Sequence, residues 1–357
     1  MERKAVIMAG GSGTRLWPLS RRDRPKQLLR IIDGRSLIYR AVERLTGLLD
    51  PRDIYVITLK DHLPAIAEEL PMLPPENLIG EPLGRDTAAA IALSAAMLHA
   101  RQPETIMGVF TADHVIRPAD RFVDIVRRGY DAAERYADAL ITFGVKPTEP
   151  HTGLGYVRRG RPAADGVYEV TAFKEKPDAA TARQYVDSGE YFWNSGMFVW
   201  RTAAILDQLR LHLPETATAA AQLAQSGVAG LTSGTAHAIY AALPRISIDH
   251  AVMEKAAKVL TVEMSLEWLD VGNWTALPAV MGADASANTT AAPEHLVIDG
   301  KGNIIVSEDN HLIAVVGAED LVVVHSKNAT LVCRRDQVQE IKSLVARLEG
   351  MGKTDYL

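Results

Sequence analysis

A glycine-rich loop flanked by cations is the stretch of this sequence best suited to chemistry. The apolar run from Ala5 to Met8 predicts a short buried strand, and it breaks into Gly10-Gly11-Ser12-Gly13. Glycine allows positive φ and a close approach of the backbone to a ligand. Arg15 follows at once, and Lys26 lies eleven residues further on. Loop N–H groups and two cations of this kind could cradle phosphates.

The better-known phosphate loops do not fit this stretch. A Walker loop requires G-x-x-x-x-G-K-[ST], which does not occur in the sequence. A dinucleotide fingerprint would need glycine in place of Leu16, and Pro18 interrupts the helix that should follow. A surface β-turn is the alternative for a bare glycine loop. Six cations from Arg15 to Arg30, against one acidic residue, favour anion binding.

Two aspartates are candidate ligands of a divalent cation. Asp113 and Asp270 each follow an apolar stretch and precede an irregular one, where a strand end would present them. Nucleotide-bound Mg²⁺ takes one or two carboxylates together with phosphate oxygens and water. Either aspartate alone is also typical of a turn or a helix cap. His114 is better explained by packing or hydrogen bonding than by metal ligation.

Alternating strands and helices are predicted for the first part of the chain, which indicates βαβ units and a mainly parallel sheet. Ligands of such sheets bind at the carboxyl ends of the strands, where the glycine loop and Asp113 would lie. Ser36 and either Asp86 or Thr87 are predicted N-caps. The predicted strands are 5–8, 54–57, 105–110 and 139–143, and the predicted helices are 37–49, 63–70, 88–100 and 119–136.

The later part of the chain is predicted to contain antiparallel strands and then a separate all-β region. The stretches 153–157, 167–173 and 191–200 read as strands, two or three helices fill 202–242, Ser247 caps a short helix, and a strand covers 259–264. The stretch 282–293, rich in Ala, Asn and Thr, reads as a linker. Apolar runs from Leu296, Ile304, Leu312, Leu321 and Leu331 predict short strands before a helix at 337–348. We therefore expect a catalytic domain at 1–284 and a small β domain at 285–357.

Bulk properties exclude several classes of protein. The net charge of −5 in 357 residues gives no general basic field for nucleic acid or an anionic membrane. The single cysteine, Cys333, excludes an internal disulfide and a cysteine-based zinc cluster. The sequence shows neither a signal peptide nor an apolar run near the ~20 residues of a membrane span. These features predict a cytoplasmic protein.

Several separated motifs together resemble the sugar-1-phosphate nucleotidylyltransferases. The first, G-G-S-G-T-R-L-W-P-L-S-R with P-K-Q after it, is similar to the version found in mannose-1-phosphate guanylyltransferases. The others follow in that family's order: E-P-L-G-R-D-T, T-A-D-H, T-G-L-G-Y, F-K-E-K-P, W-N-S-G-M-F, S-I-D-H-A-V-M-E-K and L-D-V-G-N-W. The resemblance implies a Rossmann-like α/β domain with a mixed, mainly parallel sheet. It also implies a C-terminal left-handed β-helix.

The resemblance also implies roles for individual residues. Arg15 and Lys26 would hold the β- and γ-phosphates of the nucleotide, and Asp113 and Asp270 would hold Mg²⁺. Lys176 would bind the sugar phosphate, with Gly155, Glu175 and Asn194 near the sugar ring. The residues expected to line the nucleotide are Ala9, Gly10, Gly11, Gly13 and Thr14, with Glu81 and Arg85 beside the base and ribose.

The implied reaction joins GTP and mannose 1-phosphate into GDP-mannose and releases pyrophosphate, with Mg²⁺ as the metal and a homodimer as the assembly.

Two positions depart from the family pattern: Asp86 stands where Asn is usual, and Asn273 where Ser is usual. The first alternative function is that of a nucleotidylyltransferase that uses another base or another sugar phosphate. The second is a non-catalytic subunit that senses sugar nucleotides, and a nucleic-acid-binding module built on 15–30 is the third. A regulatory subunit should have lost Arg15, Lys26 or a metal aspartate, and the sequence retains all of them.

Overall fold

Two compact units make up the chain in the computed structural model, which describes residues 1–11 and 13–357. Ser12 of the glycine loop lies outside the described residues. The first unit comprises Met1–Gly10, Ala41–Ala112 and Ile116–Glu267, and the second comprises Gly11–Arg40, Asp113–Val115 and Trp268–Leu357. Most of the loop and Asp113 therefore belong to the same unit as the C-terminal stretch. The predicted boundary between a domain at 1–284 and a domain at 285–357 stays a prediction.

Seventeen strands and eleven α-helices are assigned within the described residues. The strands are β1 Glu2–Met8, β2 Ile54–Leu59, β3 Leu78–Glu81, β4 Thr105–Thr111, β5 His114–Arg117, β6 Leu140–Val145, β7 Tyr156–Ala164, β8 Val167–Lys174, β9 Tyr191–Arg201, β10 Val259–Met264, β11 Glu267–Asp270, β12 Thr289–Ala291, β13 His295–Ile298, β14 Ile304–Ser307, β15 Ile313–Val316, β16 Leu321–Ser326 and β17 Ala329–Arg334. The helices are α1 Leu37–Thr46, α2 Leu63–Glu69, α3 Asp86–Arg101, α4 Ala119–Arg135, α5 Ala179–Ser188, α6 Thr202–His212, α7 Pro214–Gln225, α8 Gly227–Gly230, α9 Gly234–Ala241, α10 Leu277–Met281 and α11 Ile341–Gly350. No helix in these described parts combines the length and the apolar character of a membrane span.

A nine-stranded mixed sheet forms the centre of the first unit, in the order β3-β2-β1-β4-β9-β6-β10-β8-β7. Strands β3, β2, β1 and β4 are mutually parallel, as connections through helices require. Strand β9 runs antiparallel to both β4 and β6 and so joins the parallel part to the rest. The mixed α/β sheet predicted from the sequence is confirmed.

Helix α3 shows how the sequence positions this sheet. Its residues from Ala88 to Leu98 are all buried, so the helix has no solvent-facing polar stripe. A helix that is apolar on every side belongs in a core, and its side chains join one cluster with those of β1, β4, α6 and α7. Strand β3 ends at Glu81, four residues before the N-cap of this helix at Arg85. The segment from Glu81 to Arg85 is thereby held at both ends.

The C-terminal strands of the second unit wind in a β-helix-like manner. Strands β12, β14 and β16 pair in parallel in one sheet, which the antiparallel β17 closes, while β13 and β15 pair in parallel in another. Asn303 is fully buried where the turns meet. Its Nδ2 donates to Asn288 Oδ1 at 3.1 Å and Ala318 O at 2.8 Å, and its Oδ1 accepts from Leu321 N at 3.0 Å. One amide thus connects three turns of the coil.

Local differences from the predicted elements have physical causes. The stretch predicted to be a linker contains β12, because parallel pairing with β14 supplies the hydrogen bonds that its small polar residues do not signal. Asp86 and Thr87 are helical residues rather than the N-cap, which is Arg85. Four helices rather than two or three fill the insertion after β9. The predicted Ser36 cap is present, since Ser36 Oγ accepts from Tyr39 N at 3.1 Å.

Replacing the buried amide should loosen the C-terminal coil. In Asn303→Leu, the partner groups of Ala318 and Leu321 lose their hydrogen bonds, and we expect the free energy of unfolding to fall by about 2–4 kcal/mol. Scanning calorimetry of the full chain measures this loss. Asn310→Leu, at an exposed position, is the control and should change stability by no more than about 0.5 kcal/mol. Equal losses in the two variants would contradict the structural role of Asn303.

Candidate functional site

The glycine loop is shaped to admit a lysine side chain. Gly13 has φ 60° and ψ 28°, the left-handed conformation that glycine adopts without strain. A Cβ atom at this position would lie 2.5 Å from Lys26 Cβ and 2.8 Å from Lys26 Cγ. Gln27 Nε2 donates to Gly11 O at 3.2 Å and tethers the start of the loop. Both the backbone conformation and the space therefore require glycine at position 13.

Ala9, which was expected to line the nucleotide, has its backbone groups engaged inside the first unit. Its N–H donates to Ile57 O at 2.8 Å, and its carbonyl accepts from Thr58 Oγ1 at 2.9 Å. The residue itself is buried. Ala9 thus anchors the strand end from which the glycines depart.

Lys26 and Asp113 form a largely buried ion pair in the second unit. Burial lowers the pKa of Lys26, but the negative charges of Asp113 and Asp270 outweigh this effect and leave the pKa raised. Burial raises the pKa of Asp113, yet the Lys26 ammonium holds it below its usual value. Both members are therefore charged at neutral pH. Asp113 is presented two residues after β4 ends, and Asp270 is the last residue of β11.

Asp113, His114 and Asp270 offer ligand atoms that all lie within 4.8 Å of one another, which fits a divalent cation. Trp268 Nε1 donates to His114 Nδ1 at 3.1 Å, and the two rings meet edge to face at 4.9 Å. Because Nδ1 accepts this bond, the neutral imidazole carries its proton on Nε2, which lies 3.8 Å from Asp113 Oδ1. A protonated nitrogen is no metal ligand. The donor set for the cation therefore reduces to the two aspartates.

Three of the six cations after the loop have structural partners in the C-terminal part of the second unit. Arg21 donates to Ser326 Oγ at 2.9 Å and to Asn328 Oδ1 at 2.6 Å. Arg22 pairs with Glu349, and Arg24 pairs with Glu308. The run of cations thus serves two purposes, and charge count alone overstated its part in anion binding.

Arg15 differs from these three arginines in its surroundings. It is exposed beside the glycine loop, and its described side-chain bond is a long one of 3.3 Å to Gln339 Oε1. A bond of this length between exposed groups is easily exchanged for a stronger one to an anion. Arg15 and Lys26 therefore remain the candidate phosphate cations of the loop.

A second cluster, in the first unit, gathers the residues expected around a sugar phosphate. Lys176 Nζ lies 2.8 Å from Glu175 Oε1, and Lys176 has a positive φ of 44° with a largely exposed side chain. Strained backbone of this kind is common at ligand sites. A Cβ on Gly155 would lie 2.5 Å from Glu175 Oε2, and Gly155 O accepts from Asn194 N at 2.8 Å. Glycine at 155 therefore makes room for the carboxylate.

Asp249 completes this sugar-phosphate cluster, although no role was predicted for it from the sequence. It accepts from Asn194 Nδ2 at 2.8 Å, while Asn194 Oδ1 accepts from Thr142 Oγ1 at 2.9 Å. Burial, with the nearby charge of Glu175, raises the pKa of Asp249 to about 6, and the Asn194 bond opposes that rise. Its place in the S-I-D-H motif was the available signal.

A third cluster, also in the first unit, surrounds Glu81. This carboxylate is buried, and its Oε1 accepts from the Tyr240 hydroxyl at 2.5 Å. Burial raises the pKa of Glu81 to about 7, against the lowering effect of the Tyr240 bond. Arg85 donates to the main-chain carbonyls of Tyr240, at 3.1 Å, and Ala241. Tyr240 was not singled out from the sequence, because it lies 159 residues from Glu81.

Both departures from the family pattern keep the local role of the usual residue. Asp86 has φ 64°, and Asp and Asn share a tolerance for this left-handed region. Asn273 Oδ1 accepts from Thr275 N at 2.8 Å and caps the short helical turn that follows, as a serine hydroxyl also can. The backbone at both positions is thus explained without appeal to a new function.

Comparisons with known proteins agree on one family. The nucleotidyl transferase family model matches residues 4–287, and a model described as a MannoseP isomerase/GMP-like beta-helix domain matches residues 293–348. A mannose-1-phosphate guanylyltransferase of Escherichia coli is 39% identical over 98% of this chain and 75% of its own length. The alginate biosynthesis protein AlgA of Pseudomonas putida is 37% identical over 98% and 72%.

A solved structure resembles the whole chain. It is a crystal structure from Thermus thermophilus described as a "mannose-1-phosphate geranyltransferase", with a TM-score of 0.87 and 35% identity over 98% of this chain and all of that one. The likeness extends through the C-terminal β region, which the second family model also matches.

The fit between Gly13 and Lys26 leads to a prediction about the loop. Gly13→Ala should lower the free energy of unfolding by about 1 kcal/mol for the left-handed backbone and by a further ~1–3 kcal/mol for displacing Lys26. Gly34→Ala is the matched control, since Gly34 has φ 67° but nothing within 4 Å of its added Cβ. Denaturant unfolding of both variants separates the two costs. If the two losses are equal, the close packing of Gly13 against Lys26 has no energetic weight.

Proposed function

Because the chain belongs to the nucleotidyl transferase family, we propose that it transfers GMP from GTP to mannose 1-phosphate, giving GDP-mannose and pyrophosphate. The observation that carries this proposal is the placement of Lys26 against Asp113 and Asp270 beside the glycine loop. Relatives that are 35–39% identical over 98% of the chain and named mannose-1-phosphate guanylyltransferases support the choice of substrates.

The reaction needs positioning and charge neutralisation more than acid–base chemistry. The second pKa of a phosphate monoester is near ~6, so the sugar phosphate is largely dianionic at neutral pH and needs no general base. Its oxygen attacks the α-phosphorus of GTP in line, a P–O bond forms, and the bond to the leaving pyrophosphate breaks. Two polyanions must therefore meet, and their repulsion is the main obstacle.

Cations at the loop offset this electrostatic repulsion. Arg15 and Lys26 hold the β- and γ-phosphates, where charge accumulates on the leaving pyrophosphate. Lys26 remains charged despite its burial because of its two carboxylate neighbours. Asp113 and Asp270 hold Mg²⁺, which neutralises further phosphate charge when bound.

Lys176 fits the role of the cation that binds the phosphate of the sugar substrate. Its ammonium is exposed next to Glu175, so a phosphate can reach it without a large desolvation penalty. The hydrogen bond that this ammonium donates to Glu175, and the negative charge of Asp249, raise the pKa of Lys176 and keep the side chain charged. Glu175 and Asn194 bind the hydroxyl groups of the sugar ring.

Glu81 is the candidate reader of the base. Guanine presents N1–H and a 2-amino group as adjacent donors, and a carboxylate accepts from both. Adenine presents an acceptor at N1, which would face the carboxylate unfavourably. We also propose the homodimer and the cytoplasmic location predicted from the sequence, but the proposed reaction depends on neither.

A panel of substrates tests the reaction. We expect pyrophosphate release with Mg²⁺ when GTP is combined with mannose 1-phosphate, and at least about 100-fold less from ATP, UTP, CTP or dTTP, or from glucose 1-phosphate, since unpaired donors and acceptors oppose the wrong pair. A coupled pyrophosphate assay measures each combination. Release with another pair would support the proposed reaction class but show that the proposed substrates are wrong. No release with any pair, together with tight binding of GDP-mannose, would favour a non-catalytic sensor.

A pair of variants tests which cations act on phosphate. Lys26→Met should lower kcat/KM by roughly 100-fold or more, by analogy with the loss of one preorganised donor. Arg24→Met, which breaks an exposed pair with Glu308, should change kcat/KM by less than about threefold, because such pairs contribute ~0–1 kcal/mol. The same assay serves both, with calorimetry to confirm folding. Similar losses in the two variants would refute the division of the cations into two groups.

A further inference from the structure

Tyr240 and Glu81 share a buried hydrogen bond for which the proposed reaction has no obvious use. The Tyr240 hydroxyl donates to Glu81 Oε1 at 2.5 Å, and the two residues are 0% and 4% exposed. Glu81 ends β3, and Tyr240 lies in the last turn of α9, in the helical insertion after β9. A contact between residues so far apart in sequence brings part of that insertion to the nucleotide-binding segment.

The second oxygen of Glu81 is oriented towards Gly10, the first residue of the glycine loop. A Cβ atom built on Gly10 would lie 3.6 Å from Glu81 Oε2, which is ordinary contact distance. Within the described part of the chain, Tyr240 is the one side chain that donates to this carboxylate. Each carboxylate oxygen can accept two bonds. Oε2 and the second lone pair of Oε1 thus remain for donors of a ligand.

Arg85 fixes the position of Tyr240 from the same segment. Its Nε donates to Tyr240 O at 3.1 Å, and its Nη2 donates to Ala241 O. These carbonyls lie at the C-terminus of α9, where Tyr240 O also accepts from Leu243 N at 3.2 Å. The segment 81–85 therefore holds the helix end at the main chain, while the tyrosine hydroxyl holds the carboxylate at the segment's other end.

We propose that Tyr240 is a positioning residue that determines base specificity by fixing the Glu81 carboxylate for the N1–H and 2-amino donors of guanine. This inference rests on the proposed function, in which Glu81 reads the base. The carboxylate has rotamers that would turn it away from Gly10, and the hydroxyl selects the one that leaves Oε2 facing that residue. A preset acceptor binds its ligand at a lower entropic cost.

The hydroxyl also affects the charge of Glu81. Burial raises the pKa of this carboxyl to about 7, and the bond from Tyr240, the titratable group that contacts it from α9, opposes the rise. Guanine donors bind the ionised form, so affinity for a guanine nucleotide increases as pH rises from 6 to 8. Loss of the hydroxyl moves this increase to higher pH.

The test compares Tyr240→Phe with the wild type and with Tyr130→Phe. Tyr130 is also fully buried in the first unit, and its hydroxyl donates to Lys4 O at 2.8 Å, so its variant is a matched control. GDP and IDP, which lacks the 2-amino group, are titrated by calorimetry, and kcat/KM is measured with GTP and ITP. We expect the wild type to prefer GDP over IDP by about 10-fold or more, and Tyr240→Phe to lose most of that preference. Tyr130→Phe should retain it.

The outcomes separate the inference from the proposed function. An unchanged preference for GDP in Tyr240→Phe, or an equal loss in Tyr130→Phe, would overturn the role of Tyr240. A preference for GDP over IDP that is constant from pH 6 to 8 in the wild type, which can be measured even if Tyr240→Phe does not fold, would contradict the reading of the base by Glu81 and with it the inference that rests on it. Faster turnover by the wild type with ATP, UTP, CTP or dTTP than with GTP would instead refute the proposed substrate, whatever the variants show.

Discussion

The ion pair between Lys26 and Asp113 is the constraint on which the rest of the second unit depends. Burying a lone charge costs several kcal/mol, so each of these groups is tolerable only beside the other. Lys26 can reach Asp113 only if the chain at Gly13 leaves room for its side chain. Asp113 in turn lies where the chain has just left β4. One electrostatic requirement therefore sets the conformation of the loop and the position of Asp113, a candidate metal ligand.

The C-terminal strands serve this arrangement through packing. Leu16, Trp17 and Leu19 of the loop motif are buried in one cluster with β14 and β16. Trp17 Nε1 donates to Tyr356 O at 2.6 Å, and Trp274 Nε1 donates to Trp17 O at 3.1 Å. The W-P-L-S part of the motif thus faces the core rather than a substrate. It stabilises the loop against the C-terminal β region, so its contribution to the site is indirect.

The sequence predicted β1, β2, β4 and the glycine loop, because each leaves a local trace. Apolar runs mark β1, β2 and β4, and glycines mark the loop. What escaped prediction depends on partners distant in sequence. The charges of Arg21, Arg22 and Arg24 were visible, but their acceptors lie some 280 to 330 residues away. Strand β12 has small polar residues whose conformation is imposed by the neighbouring coil. The pairing of Tyr240 with Glu81 is of the same long-range kind.

The carboxylates in these clusters fall into two groups, according to whether a nearby cation offsets the cost of burying their charge. The Lys26 ammonium lowers the pKa of Asp113 and keeps it ionised, as the binding of a hard divalent ion requires. Glu81 and Asp249 have hydroxyl and amide partners instead, and burial raises their pKa to about 7 and about 6. Carboxyl groups with pKa values near neutrality suit neutral donors, such as base N–H and sugar hydroxyl groups. The hydrogen bonds that such a ligand donates stabilise the ionised form of the carboxyl group. Differences in environment thus fit the same chemical group to the three roles proposed for it, at the metal, the base and the sugar.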